Sequence, residues 1–115
     1  DLREQMYTSS AHVGPEVDEF ELSGLTAEPC VHVSVPRVGE APVSLECTFL
    51  TRLRLPSNSP KVENNVVIGQ VVGIHIDDSI ISDGMIDMAA YRPLARLGYM
   101  DYSMVDEVFA MRRPD

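Results

Sequence analysis

Residues 43–55 alternate apolar and polar side chains over thirteen positions, and this run limits the possible folds more than any other. Val43, Leu45, Cys47, Phe49, Leu53 and Leu55 fall on one face, with Thr51 the polar exception. Ser44, Glu46, Thr48, Arg52 and Arg54 fall on the other, interrupted by Leu50. Successive strand side chains point to opposite faces, so the pattern predicts a strand with one buried side. Most strands run to about five or six residues, and longer ones belong to barrels and strongly curved sheets.

The next strand is expected over 65–77, after a loop with turn chemistry at Pro56-Ser57-Asn58-Ser59-Pro60. It is apolar on both sides, with Val66, Ile68, Val72, Ile74 and Ile76 on one and Val67 and Val71 on the other. Such a strand is expected to be covered inside by a barrel core and outside by a helix or a second subunit. Gly69 and Gly73 mark either sharp bends or the close approach of another backbone or ligand. Together the two strands predict a long antiparallel hairpin.

Shorter elements surround it. Asp1-Leu2-Arg3-Glu4 has the form of a capping box and predicts a helix over residues 1 to about 10. Val17–Thr26 predicts one helical turn ending at Gly24. Val31–Val35 is β-branched and alternating, which predicts a short strand ended by Pro36. An acidic turn over 77–84, a helical turn over Met85–Ala90 and a last strand over Met104–Met111 complete the reading. The whole of 1–115 is expected to be one domain or part of one.

Composition excludes several functions. A net charge of −9, from nine basic and eighteen acidic residues, offers no footprint for nucleic acid. No apolar run approaches the roughly 20 residues that span a bilayer, and a soluble cytoplasmic protein is expected. Residue 1 is Asp, so the chain is expected to be cut, processed or taken from inside a longer one. Two cysteines are too few for a disulfide scaffold, which predicts reduced thiols, with Cys47 on the buried strand face.

The segment Leu94-Ala95-Arg96-Leu97-Gly98-Tyr99-Met100-Asp101-Tyr102 gathers an Arg, a Gly and two Tyr within seven residues. With Arg92-Pro93 before it, it resembles the "Pro-Leu-x-Arg-Leu-Gly-Gly-x-x-Tyr" close of flavin reductase-like domains, the FMN-binding split barrels. Asp18-Glu19-Phe20, Gly24-Leu25-Thr26 and Glu40-Ala41-Pro42-Val43-Ser44-Leu45-Glu46-Cys47 are similar to the middle of such domains. Asn65-Val66-Val67-Ile68-Gly69-Gln70-Val71-Val72 is similar to their "Ile-Gly-Glu-Val" strand. The matches spread over about residues 1–112.

This resemblance implies a mainly β fold, a six-stranded split barrel with short helices, of which the chain is roughly the C-terminal half. It implies a homodimer with FMN near the interface and an oxidoreductase that takes hydride from NAD(P)H or acts on another small molecule. Two positions depart from the family pattern. Val62-Glu63-Asn64 stands where nicotinamide-binding members have Gly-Asp-His, and Tyr99 replaces the second Gly of the close.

Carried over residue by residue, the resemblance makes Arg96, Gly98, Tyr99 and Tyr102 the cofactor-binding candidates and Asn64 the substrate-side candidate. Arg96 neutralises a flavin phosphate or the N1–C2=O edge, or else pairs with Asp101. Tyr99 and Tyr102 pack on the ring, or are ordinary core or interface aromatics. Gly98 is expected at a turn with positive φ. Ser9 and Ser10 sit at a helix C-terminus, the wrong pole for an anion. His75 reads as a satisfied strand histidine, and Asp77, Asp78, Asp83 and Asp87 read as a solvated acidic loop without calcium-loop spacing. Cys30-Val31-His32 lacks the second pair that a zinc site needs. The competing expectation is a cofactor-free β-barrel dimerisation or assembly module, motivated by the two-faced apolar strand.

Overall fold

The long hairpin forms as its alternation predicts. In a computed structural model that describes residues 1–114, β3 covers Val43–Leu55 and β4 covers Asn64–Ile76. They are hydrogen-bonded neighbours joined by a short loop at 56–63. A parallel pair needs a crossover of about a dozen residues or more, so this pair is antiparallel. The structure is mostly β with few short helices, and its strands form four two-stranded ladders. Two compact units are present, one from 25–75 and one from 1–24 with 76–114.

In the 25–75 unit, two further short strands pair antiparallel: β1 at Ala27–Glu28 and β2 at Arg37–Val38. Between them Val31–Val35 is a series of bends, not the strand its alternation predicts. The cause is Glu46, whose carboxylate accepts the N–H groups of Val31 at 2.8 Å, His32 at 2.6 Å and Val33 at 3.2 Å. Amides turned toward one carboxylate are unavailable to a neighbouring strand.

Burial on β3 also departs from expectation. Its one buried residue is Glu46, on the polar face, while Cys47 is exposed and so are Leu45, Phe49, Leu53 and Leu55. Gly69 and Gly73 mark close approach. A Cβ at Gly69 would lie 3.0 Å from Cys47 Cβ, and one at Gly73 only 2.7 Å from His32 Cδ2.

In the other unit, α1 covers Arg3–Ser9 and α2 covers Glu19–Ser23, packed side by side. Asp1 accepts the Arg3 N–H and pairs with its guanidinium, but the N-cap position falls on Leu2 without a side-chain cap, so the expected capping box does not form. Asp18 caps α2, and Gly24 ends it with φ +70°. A 3-10 turn at Asp78–Ile80 leads into β5 at Ile81–Ser82 and β6 at Met85–Ile86. Asp83 and Gly84 turn that hairpin with φ of 51° and 75°, the twist a tight β-hairpin needs. The helical turn expected over Met85–Ala90 is shorter and later: α3 spans Met88–Tyr91.

β7 at Leu94–Gly98 and β8 at Asp101–Met104 close the chain's regular structure. The strand expected over Met104–Met111 is not formed. Val105 N–H still reaches Pro93 C=O and Arg92 pairs with Asp106, but the described residues offer no ladder partner beyond.

Among the described residues Ile80 is the one buried apolar side chain. Exposed apolar strand faces of this kind bind partners or hydrophobic probes. The isolated chain is therefore expected to enhance the fluorescence of an anilinonaphthalene dye severalfold near neutral pH. A dye signal no higher than that of an ordinary folded monomer would contradict these exposed faces.

Candidate functional site

The β7–β8 ladder sets the site. Arg96 is paired directly across from Tyr102, so both side chains stand on one face. The guanidinium lies 5.6 Å from the Tyr102 ring centre, within cation–π range. A bulge lies between Arg96 and Gly98, and the chain then turns through Gly98 with φ +145° and Tyr99 with φ +55°. A tyrosine at positive φ is held against its preference. The hold is local, because Arg96 Nη2 donates to the Tyr99 carbonyl at 2.9 Å. The alternative pairing of Arg96 with Asp101 does not form, and Arg96 has no carboxylate within 4.0 Å among the described residues.

The second wall comes from α1. Arg3, Met6, Tyr7 and Ser10 recur at i, i+3, i+4 and i+7, one helical stripe, and together with the hairpin they line a cavity of about 680 Å³. That volume is within the roughly 300–1,000 Å³ usual for small-molecule sites. Sequence reasoning missed this wall. The stripe at 3, 6, 7 and 10 was the available signal, but it mixes charged, apolar and aromatic residues and so gives no clean apolar face. Tyr99 is 92% exposed and Tyr102 41% exposed, so both rings are open to a ligand.

Three expected candidates therefore meet here: Arg96, Tyr99 and Tyr102. Gly98 serves as the turn residue that positive φ requires. Asn64 belongs to the 25–75 unit, where its amide donates to the Pro56 carbonyl at 3.2 Å. Ser10 lines the cavity, but its hydroxyl is already committed to the Tyr7 carbonyl at 2.7 Å.

The 25–75 unit holds the strongest polar cluster. Glu46 accepts from His75 Nε2 at 2.5 Å as well as from the three amides. A carboxylate only accepts, so Nε2 carries the proton. The Val31 N–H does most to hold the Glu46 carboxyl at about 2; burial opposes it, while His75 and the His32 N–H add to it. Burial, with the Glu46 charge nearby, pushes the Cys30 thiol up. Elsewhere Glu40 is lowered by the Thr26 hydroxyl and amide.

Two acids of the loop, Asp77 and Asp87, act as caps. Asp77 accepts from Ser79 N–H, which lowers its carboxyl, and Asp87 accepts from Ala89 and Ala90. Among the described residues no group of His, Cys, Asp and Glu has the geometry of a metal site. Among the described residues no helix is long and apolar enough to cross a membrane.

No protein-family model matches the chain. An uncharacterised protein of Halalkalibacterium halodurans is 34% identical over 111 residues, 96% of this chain and 53% of that protein. Nitrilotriacetate monooxygenase component B from Bacillus cereus superposes with a TM-score of 0.82 at 27% identity, over 93% of this chain and 53% of that one. A protein of Shewanella frigidimarina described as a flavin reductase with a split barrel domain gives a TM-score of 0.80 at 27% identity, over 98% of this chain and 56% of that one. Its fold is that of the flavin reductase-like split-barrel proteins, and the chain spans about half the length of the relatives and structures it matches.

Proposed function

We propose that this chain supplies one wall of the flavin site in an FMN-dependent oxidoreductase. The observation that carries this reading is Arg96. It is fixed over Tyr102 and to the Tyr99 carbonyl, faces a cavity open to a ligand, and has no carboxylate partner among the described residues. Such a donor set fits a flavin, whose ring is planar and gains negative charge along its N1–C2=O edge on reduction. When bound, the flavin supplies the hydride-accepting ring. Arg96 holds positive charge against that edge, and Tyr102 keeps the guanidinium in place. Tyr99 and Tyr102 offer aromatic surface to the ring.

The relatives' relation to flavin reduction and monooxygenation supports the reaction class. NAD(P)H or another small molecule is the proposed hydride source. The same reading makes the protein a cytoplasmic homodimer, supported by its acidic balance and by the exposed apolar faces of β3 and β4. Those faces also favour the second reading, a cofactor-free assembly module.

A flavin titration separates the two. This chain is compared with a version carrying the additional length of its relatives, following flavin fluorescence. FMN binding by the longer form, weakened about tenfold or more by Arg96→Leu, is expected from loss of a charge-assisted contact. A longer form that stays colourless and leaves flavin fluorescence unchanged would transfer the argument to the assembly module.

A further inference from the structure

The cavity's charges and rings say more than that a flavin fits. Of its two lining cations, Arg3 is already spoken for by Asp1, through Nε at 2.8 Å and the adjacent Nη2. Glu4 adds a carboxylate to the lining. A single negative charge is matched by Arg96 alone.

The rest of the lining is soft. Tyr7 enters from α1, 71% exposed, and Tyr99 and Tyr102 enter from the hairpin. Met6, Met100 and Met104 fill between them. Thioethers adapt to aromatic rings and contact their edges favourably, and tyrosines stack on them. The volume is near the middle of the usual range for one ligand.

We infer that this cavity takes a planar aromatic monoanion, of the aromatic carboxylate class, with its charge toward Arg96 in place of the flavin edge and its ring against Tyr7. This rests on the flavin reading for its setting, but the binding itself uses only residues of this chain. Tyr7 is the specificity-determining residue, because it is the aromatic side chain on the α1 wall.

Binding of benzoate is measured on the flavin-free protein by the ring signals of its tyrosines in NMR, with cyclohexanecarboxylate as the non-aromatic control and FMN titrated separately. Benzoate is expected to bind at least about fivefold more tightly than the control, with Tyr7→Leu weakening it by a similar factor and Tyr7→Phe restoring it. Equal binding of the two carboxylates overturns the inference, and so does a Tyr7→Leu protein that binds benzoate as well as wild type. FMN binding without benzoate binding sinks this inference and leaves the flavin reading standing. Tyr7-dependent benzoate binding by a longer form that does not bind FMN does the reverse.

Discussion

Glu46→Gln is expected to raise the unfolding equilibrium constant on the order of 100-fold, the largest effect of any single polar change in this chain. The carboxylate is buried, and each oxygen has two donors. Oε1 takes the Val31 N–H and His75 Nε2, while Oε2 takes the His32 and Val33 N–H groups. A glutamine amide replaces one oxygen by a donor. Turned one way, its NH₂ faces the His32 and Val33 N–H groups; turned the other, it faces the Val31 N–H and a His75 that accepts only by moving its ring proton to Nδ1, and donors left facing donors out of water cost far more than the bonds were worth. Glu46→Ala removes the acceptor altogether and is expected to free the 31–35 segment, seen as rapid amide exchange at Val31, His32 and Val33. Urea unfolding checks the stability, and a Gln variant within threefold of wild type would refute this account of the segment.

The same carboxylate sets an acid limit. Its value of about 2 in the folded chain lies below its ordinary 4.5, so the folded state binds its proton less readily than the unfolded one. A lowered carboxyl contributes stability that is full above about 4.5 and is lost as pH falls toward about 2. Wild-type stability is expected to decline across that window. The Gln variant, lacking the titrating group, is expected to show a flatter profile there.

How much of this was legible follows from where the partners lie. β3 was readable to the residue, because alternation over its whole length is a local property. The turns at Gly24 and Gly98 were readable because positive φ has a residue signature. The bends at 31–35 were not, since nothing in Val31-His32-Val33 announces a carboxylate fifteen residues away in sequence. Cys47 was misplaced for a related reason. Polarity assigns the odd face of β3 to the interior, yet burial in this chain follows the four donors that meet at Glu46, on the even face. In the site, the hairpin's half was readable as a motif. The α1 half became visible only when the fold set one helical stripe against the tyrosines.

Gly73→Val is expected to destabilise the chain by about 2–3 kcal/mol, whereas Gly69→Ala is expected to be close to neutral. In an open strand, replacing glycine gains roughly 0.5–1 kcal/mol by restricting the unfolded chain. At Gly69 the new methyl meets Cys47 Cβ at 3.0 Å, a tight contact on an exposed face, and the two terms roughly cancel. At Gly73 the methyl would stand 2.7 Å from His32 Cδ2, with Glu46 Cδ at 3.2 Å and Cβ at 3.3 Å behind it. The exposed His32 ring can swing aside. Glu46 cannot, because three amides and an imidazole hold its carboxylate. The clash therefore exceeds the entropy gain, and a branched side chain enlarges it. Glu46→Ala should relieve part of it, so the double variant is expected to fall short of the sum of the single losses. Additive losses in urea unfolding would mean that Gly73 is required by some contact other than the Glu46 clamp.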